Sequence, residues 1–132
     1  MKKIIFALVL LSLSLFAQVK QEFASQKLLD SKIKIIDIRT PSEWRETGLL
    51  KGSIPIMFFN ERGQYDIDAF LSKLNQYIKK DEEFALICRT GSRSSMLAPF
   101  LDTELGYKVI NLRGGILYAI GNKLPIEVYK GH

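Results

Sequence analysis

Histidine is almost absent from this chain, because the only one among its 132 residues is His132, the last residue. A chain terminus is usually poorly ordered, which makes this imidazole a poor candidate for an active site. Its position excludes most metal sites, and it excludes catalytic pairs in which an imidazole activates a serine or a cysteine. Any reactive group in this protein must therefore be activated without a histidine.

Cysteine is equally scarce, since Cys88 is the only one in the sequence. A single cysteine cannot form an internal disulfide, so its thiol is either a small inert side chain in the core or a reactive group. Charge of one sign is also limited, because 19 basic and 14 acidic residues leave a net charge of +5. No stretch interleaves aromatic with basic residues, so we expect no nucleic-acid binding, although small anions would be attracted.

No apolar run is long enough to span a bilayer, which takes about 20 residues. The longest run covers residues 4–16 and follows Lys2 and Lys3, and Ala17 precedes the first polar position after it. This pattern predicts a signal peptide over residues 1–17, and the alternative is a core helix that resembles one. We therefore expect an exported protein, periplasmic or secreted, with no stable membrane span after cleavage.

The remaining residues, 18–132, have the length of one domain and carry a net charge of +3, since the removed segment holds two lysines and no acid. Strands are predicted at 32–38, 83–88 and 108–112, and a short extended segment at 125–129. A loop that contains Gly48 and Gly52 is predicted before a partly extended segment at 53–59. Helices are predicted at 24–29, 66–78, 93–105 and 116–120, and a capping box at 40–43 opens a further short helix. Strands alternating with helices predict an α/β fold, with a parallel sheet covered on both faces.

Pro99 falls inside the helix predicted at 93–105. A proline there cannot donate a hydrogen bond to the carbonyl of Ser95, and its ring crowds that oxygen. We expect a kink or an opened turn near Ser95, with the first turn of the helix still regular.

Cys88 is the last residue of a predicted buried strand and directly precedes a helix. Residues 88–93, here called the Cys88 loop, have the sequence CRTGSR. In parallel α/β folds, the active site lies beyond the carboxyl ends of the strands. We expect Cys88 to be catalytic, within an anion-binding loop that consists of Arg89, Thr90, Gly91, Ser92 and Arg93.

Three features of this loop favour a negatively charged sulfur. Gly91 allows successive backbone N–H groups to point to one spot, and the following helix adds its unpaired N–H groups. Arg89 and Arg93 supply two permanent cations nearby. Of these two, we expect Arg93 to turn inward and bind the carbonyls of the loop.

Three segments carry a resemblance to a known family. CRTGSRS resembles the active-site loop of rhodanese-homology domains, while IIDIRTPSEWRETGLLKGS and NLRGGILYAIGNKLP resemble two further motifs of that family, in the same order. The resemblance implies about five parallel strands with helices on both faces, and no cofactor. It also implies that Cys88 takes a sulfane sulfur, holds it as a persulfide and passes it to a thiophilic acceptor. Leu49 and Ala119 stand where many members have histidine and tryptophan.

The length of the loop distinguishes related activities. Cys88 and Arg93 are separated by four residues, as in the sulfur-transferring members of the family that the chain resembles. Related phosphatases and arsenate reductases have a loop one residue longer, which fits a tetrahedral oxyanion. The short loop favours sulfur chemistry.

Two residues after the first predicted strand could support the site. Asp37 either braces the Cys88 loop or is a simple turn or cap residue, and Arg39 accompanies it. The capping box accounts for Glu43. Trp44 is expected to pack in the core or at the rim rather than to bind a ligand.

These observations predict a thiosulfate sulfurtransferase of the rhodanese type that acts through a Cys88 persulfide. The alternative is a carrier or binding module that hands sulfur between partner proteins in the periplasm without using thiosulfate. Expected partners are a small sulfur-containing anion such as thiosulfate, and a thiol acceptor or thioredoxin-like reductant. The last is expected because the chain has no second cysteine to resolve an oxidised Cys88.

Overall fold

The computed structural model describes residues 19–131, so the predicted signal peptide and His132 lie outside the described residues. The strands are β1 (Lys20–Glu22), β2 (Lys34–Asp37), β3 (Leu49–Leu50), β4 (Ile54–Pro55), β5 (Glu83–Ile87), β6 (Lys108–Leu112) and β7 (Ile126–Glu127). The helices are α1 (Gln26–Asp30), α2 (Pro41–Thr47), α3 (Ile67–Leu74), α4 (Ser92–Pro99) and α5 (Gly115–Gly121), and a π-helix spans Phe100–Glu104.

Five strands form one parallel sheet in the order β1-β6-β5-β2-β4. The prediction of an α/β fold with about five parallel strands is therefore confirmed. Connections between parallel strands must cross over the sheet, and helices make most of these crossovers. β5 occupies the middle of the sheet, so the residue that follows it lies at the centre of the carboxyl-terminal edge.

Both faces of the sheet are covered, because successive side chains of a strand point to opposite faces. Phe84 and Leu86 of β5 lie in the core beneath α3 and α4. Ala85 and Ile87 lie in a second core, which contains apolar side chains of α1 and α5. All four are fully buried, which explains why β5 reads as a continuous apolar run.

Two strands differ from the sequence-based prediction. β1 was not predicted, because its three residues are polar and exposed, yet it forms the fifth strand by pairing with β6. The extended segment near the C-terminus does not join the main sheet. Its strand β7 pairs antiparallel with β3, inside what was predicted to be a loop. β1 and β7 are strands because they pair with distant segments of the chain, and no local sequence pattern encodes such pairing.

The helical boundaries also differ in detail. α3 ends at Leu74, whereas the apolar spacing predicted a helix to residue 78. The predicted effect of Pro99 lies in the wrong place, because α4 is continuous from Ser92 to Pro99 and the geometry changes only after the proline. There the helix widens, and the N–H of Leu105 donates to the carbonyl of Phe100 at 3.3 Å. The first turn is regular, as expected.

A fully buried ion pair joins the end of β2 to α2. Arg39 donates from Nε and Nη2 to the carboxylate of Asp37 at 2.8–3.1 Å, and neither side chain has any exposed area. The same guanidinium donates to Thr47 Oγ1 and to the carbonyl of Gly48, at the carboxyl end of α2. Each nitrogen of Arg39 thus has an acceptor, which a buried guanidinium requires.

Between residues 19 and 131, no helix is both long enough and apolar enough to cross a membrane.

We predict that Arg39→Met lowers the free energy of unfolding by about 3 kcal/mol or more, because it leaves the Asp37 carboxylate buried without its partner. Urea denaturation followed by circular dichroism measures this change. Arg62→Met, in an exposed loop, is the control and should alter stability by no more than about 0.5 kcal/mol. Equal effects of the two substitutions would contradict the structural role of the buried pair.

Candidate active site

Cys88 directly follows β5 and lies at the centre of the carboxyl-terminal edge of the sheet, with its side chain fully buried. Its Sγ accepts a hydrogen bond from the N–H of Gly91 at 3.1 Å and another from the N–H of Ser94 at 3.4 Å. The Oγ of Ser94 lies 3.5 Å from the same sulfur. The loop therefore directs backbone donors at one atom, as the sequence predicted.

The local backbone explains this convergence. Gly91 has φ +101°, which an L side chain rarely adopts, and this geometry turns its N–H back toward Cys88. α4 begins at Ser92, so its first N–H groups have no partner within the helix. One of them, from Ser94, reaches the sulfur instead. Backbone N–H donors and the positive end of a helix dipole are groups that can stabilise negative charge on a sulfur atom bound there.

The outer side of the Cys88 loop rests on the start of α5. The carbonyl of Cys88 accepts from the N–H of Ile116 at 2.8 Å, and that of Arg89 accepts from the N–H of Leu117 at 3.2 Å. A Cβ on Gly115 would lie 2.4 Å from the carbonyl oxygen of Arg89, so only glycine permits this approach. Gly114 and Gly115 precede a predicted helix in the sequence, but the backbone that they contact is not apparent from it.

Arg93 does not do what the sequence predicted. Its guanidinium points away from the carbonyls of the loop and forms two hydrogen bonds of 2.7 Å with the carboxylate of Glu43, on α2. The carbonyls of Cys88 and Arg89 are already bound by α5, and a carboxylate is the stronger partner for a guanidinium. The prediction of an inward-pointing Arg93 is therefore wrong.

Glu43 also forms a contact outside its own helix, which the sequence did not indicate. The predicted capping box is present, with Glu43 Oε1 accepting from the N–H of Thr40 at 3.3 Å. The same carboxylate also binds Arg93, and this hydrogen bond, helped by the one from Thr40, lowers the pKa of Glu43 to about 2. The pKa of Arg93 is raised, chiefly by its hydrogen bond to Glu43. Both groups are therefore charged across the neutral pH range.

Asp37 and Arg39 lie at the end of β2, and none of their side-chain hydrogen bonds reaches the Cys88 loop. The carboxylate of Asp37 accepts from the backbone N–H of Arg39 at 3.1 Å, as a turn residue would. It also binds the Arg39 guanidinium and accepts from Trp44 Nε1 at 3.0 Å. Trp44 is buried against the ring of Tyr129, so the prediction that it packs is confirmed. Asp37 and Arg39 thus fix α2, and α2 carries the Glu43 that holds Arg93.

The other residues of the Cys88 loop lie at its rim. Thr90 and Ser92 are exposed. The guanidinium of Arg89 is about two-fifths exposed and lies 3.8 Å from the carboxylate of Glu46, which is a loose contact. A groove of about 580 Å³ reaches the loop at Arg93, and Glu43, Glu61, Phe59 and Met96 are among its lining residues. Along residues 19–131, no cluster of histidine, cysteine, aspartate and glutamate side chains could hold a metal ion.

A single cysteine ends the central strand of a parallel sheet, and a glycine-containing loop and a helix N-terminus direct their N–H groups at its sulfur. This arrangement defines the class of α/β proteins that use a cysteine in an anion-binding loop. The model of the rhodanese-like domain matches residues 17–118, and the chain belongs to that family.

Individual relatives agree with this assignment. The chain is 32% identical over 116 residues to a sulfurtransferase of Allochromatium vinosum, an alignment that covers 86% of this chain and 97% of the relative. A rhodanese-like domain protein of Staphylococcus aureus superposes with a TM-score of 0.61 at 25% identity, covering 83% of this chain and 99% of that one. The fold is also similar to that of a polysulfide-sulfur transferase homodimer of Wolinella succinogenes, with a TM-score of 0.65 at 17% identity, covering 99% and 94%.

We predict that Gly115→Ala destabilises the protein by at least about 2 kcal/mol and displaces the Cys88 loop, because the added methyl group overlaps two backbone carbonyls at a positive φ. Gly121→Ala is the matched control in the same helix, since a Cβ there meets nothing within 4 Å. Urea denaturation measures stability, and the rate of Cys88 alkylation by iodoacetamide reports on the loop. A Gly115→Ala protein as stable as the control, with an unchanged rate, would contradict this contact.

Proposed function

We propose that this protein is a sulfurtransferase that carries sulfane sulfur as a persulfide on Cys88, taking it from a donor such as thiosulfate and giving it to a thiophilic acceptor. The observation that carries the proposal is the pair of backbone N–H groups, from Gly91 and Ser94, that converge on the Cys88 sulfur. A family of rhodanese-like domains with sulfurtransferase relatives gives this geometry its chemical context.

The first half of the reaction loads the cysteine. The Cys88 thiolate attacks the outer sulfur of thiosulfate and forms a new S–S bond. The S–S bond of thiosulfate breaks, and sulfite leaves with the electron pair of that bond. The product is the Cys88 persulfide anion, so no proton, metal or external oxidant is required. The positions of the N–H groups of Gly91 and Ser94 let them stabilise the negative sulfur before and after the transfer.

The second half of the reaction transfers the outer sulfur from Cys88 to the acceptor. The thiolate of the acceptor attacks the outer sulfur of the persulfide, the S–S bond to Cys88 breaks, and the Cys88 thiolate is restored while the acceptor becomes a persulfide. Cys88 itself has no exposed area. In the persulfide, the outer sulfur that the acceptor attacks lies about 2 Å beyond the Cys88 sulfur, which is the length of an S–S bond. In this scheme Cys88 is the leaving group, and the N–H groups of Gly91 and Ser94 are placed to stabilise the charge that returns to its sulfur.

A carrier module that receives sulfur from a partner protein, rather than from thiosulfate, is the second candidate. The same loop would serve it, because the cradle binds the sulfur of Cys88 and not the rest of the donor. The similarity in fold to a polysulfide-sulfur transferase makes polysulfide a second donor to test.

We also propose that the protein is exported and works with an external thiol partner, such as a thioredoxin-like reductant. The basis for export is the sequence of residues 1–17, which has the order of basic, apolar and small residues of a signal peptide. The basis for the partner is the lone Cys88, which has no second cysteine to reduce it.

We predict that incubation of the purified protein with thiosulfate adds the mass of one sulfur atom and releases an equal amount of sulfite. Intact-protein mass spectrometry and a sulfite assay measure the two products. Cys88→Ser should fold normally and show neither, because a serine hydroxyl does not ionise at neutral pH. Absence of the adduct with thiosulfate, and with polysulfide, would reject the persulfide mechanism. An adduct with polysulfide alone would favour the carrier.

Export predicts that the full-length chain, expressed in a bacterial host with a periplasm, is recovered from the periplasmic fraction and begins near Gln18. Fractionation followed by intact-mass measurement tests this outcome. Replacing Lys2 and Lys3 by glutamate should reduce recovery from the periplasm, since a signal peptide needs its basic start. Uncleaved protein that stays in the cytoplasm would overturn the proposal.

A further inference from the structure

The charge at the Cys88 loop is smaller than its sequence suggests. Two arginines belong to the loop, but Arg93 is bound at 2.7 Å through both terminal nitrogens to the carboxylate of Glu43. The side chains of this pair are only 24% and 18% exposed, so solvent screens them less than a surface pair. Arg93 therefore contributes little net positive charge to a ligand at the loop.

Two other cations near the site are themselves paired with carboxylates. Arg39 is buried and neutralised by Asp37. The side chain of Arg89 is about two-fifths exposed and lies 3.8 Å from the carboxylate of Glu46. The groove that meets the loop at Arg93 is lined by two carboxylates, those of Glu43 and Glu61, against one guanidinium. The charged residues that line this groove therefore carry a formal charge of −1 in total.

We infer that Glu43 is a specificity-determining residue that selects sulfur donors by their charge. Because Glu43 neutralises Arg93, the site favours donors with one negative charge over dianionic donors such as thiosulfate. The inference rests on the proposed function, because it concerns the donor of that same reaction. Glu43 reaches its position through α2, whose capping box uses the same carboxylate and whose carboxyl end is bound by Arg39.

The physical argument is a difference of one charge at a short distance. A donor with two charges gains about twice as much from an unpaired guanidinium as a donor with one, and loses about twice as much beside an unpaired carboxylate. Near a protein surface such a difference corresponds to a change of about three- to tenfold in relative reactivity. The change needs no movement of Arg93, because removing the Glu43 charge is sufficient.

Two donors isolate the effect of charge. Sodium methanethiosulfonate carries one negative charge and delivers its outer sulfur in the same way as thiosulfate: the Cys88 thiolate forms an S–S bond, the donor S–S bond breaks, and methanesulfinate leaves with the electron pair. The measured quantity is the ratio of the two rate constants for Cys88 persulfide formation, thiosulfate over methanethiosulfonate, followed by quenching and mass spectrometry at low ionic strength.

Substitutions at the two paired residues form a charge series. Glu43→Gln should raise this ratio about three- to tenfold, since it leaves Arg93 unpaired, and glutamine preserves the capping box. Arg93→Gln should lower it by a similar factor, because it leaves the carboxylate unpaired. The double variant should return close to the wild-type ratio. Loss of fold or a general loss of activity would change both rate constants and leave the ratio unaffected.

Glu82→Gln is the matched control. Its carboxylate pairs with Lys34 at 3.2 Å, at the amino-terminal end of the sheet and so opposite Cys88. This variant should keep the wild-type ratio. In high salt, the differences within the series should shrink, because the field of the unpaired charges is screened.

The outcomes separate the two hypotheses. If the wild-type protein forms a persulfide with both donors and all variants share one ratio, the role of Glu43 is rejected and the sulfurtransferase proposal stands. A change of equal size in Glu82→Gln would also reject it. If neither donor yields a persulfide, the proposed function fails and the inference fails with it. Opposite shifts in the two single variants, cancelled in the double variant, would support it.

Discussion

The site depends on the buried ion pair between Asp37 and Arg39. A guanidinium with no exposed area must find an acceptor for each nitrogen, and these acceptors come from β2 and from the carboxyl end of α2. The requirement fixes α2 against the sheet. α2 in turn presents Glu43, which binds Arg93 of the Cys88 loop. Two ion pairs, connected through α2, therefore link the core of the domain to the loop that surrounds the sulfur.

Backbone hydrogen bonds and side-chain charges act on different parts of the Cys88 loop. The sulfur of Cys88 is bound by backbone N–H groups, whose positions depend on the turn at Gly91 and on the start of α4. The backbone carbonyls on the other side are bound by the first N–H groups of α5. Side chains contribute charge around this cradle. The hydrogen bonds to the sulfur and the charges around it therefore come from different atoms, and a substitution can alter one while the other persists.

Local features of the sequence predicted the fold class and the nucleophile. Buried β-branched runs alternating with amphipathic segments predicted a parallel α/β sheet, because those two periodicities are properties of single strands and helices. The order strand, CRTGSR, helix predicted both the position of Cys88 and the inward N–H groups, since a glycine turn and a helix N-terminus are themselves local structures. The capping box at Thr40 was predictable for the same reason, because it involves residues only three positions apart, and the structure contains it.

Contacts between distant segments were decided only by the tertiary structure. Glu43 and Arg93 are 50 positions apart, and each had a sufficient local explanation, so no sequence pattern indicated that they pair. Polar residues 20–22 became a strand because β6 offered an unpaired edge, and Gly115 became indispensable because the carbonyl of Arg89 lies against it. The sequence by itself determined where the sulfur of Cys88 lies and which local backbone turns its N–H groups toward it. The folded chain determined which charges surround that sulfur, because an ion pair depends on distances in space and not along the chain.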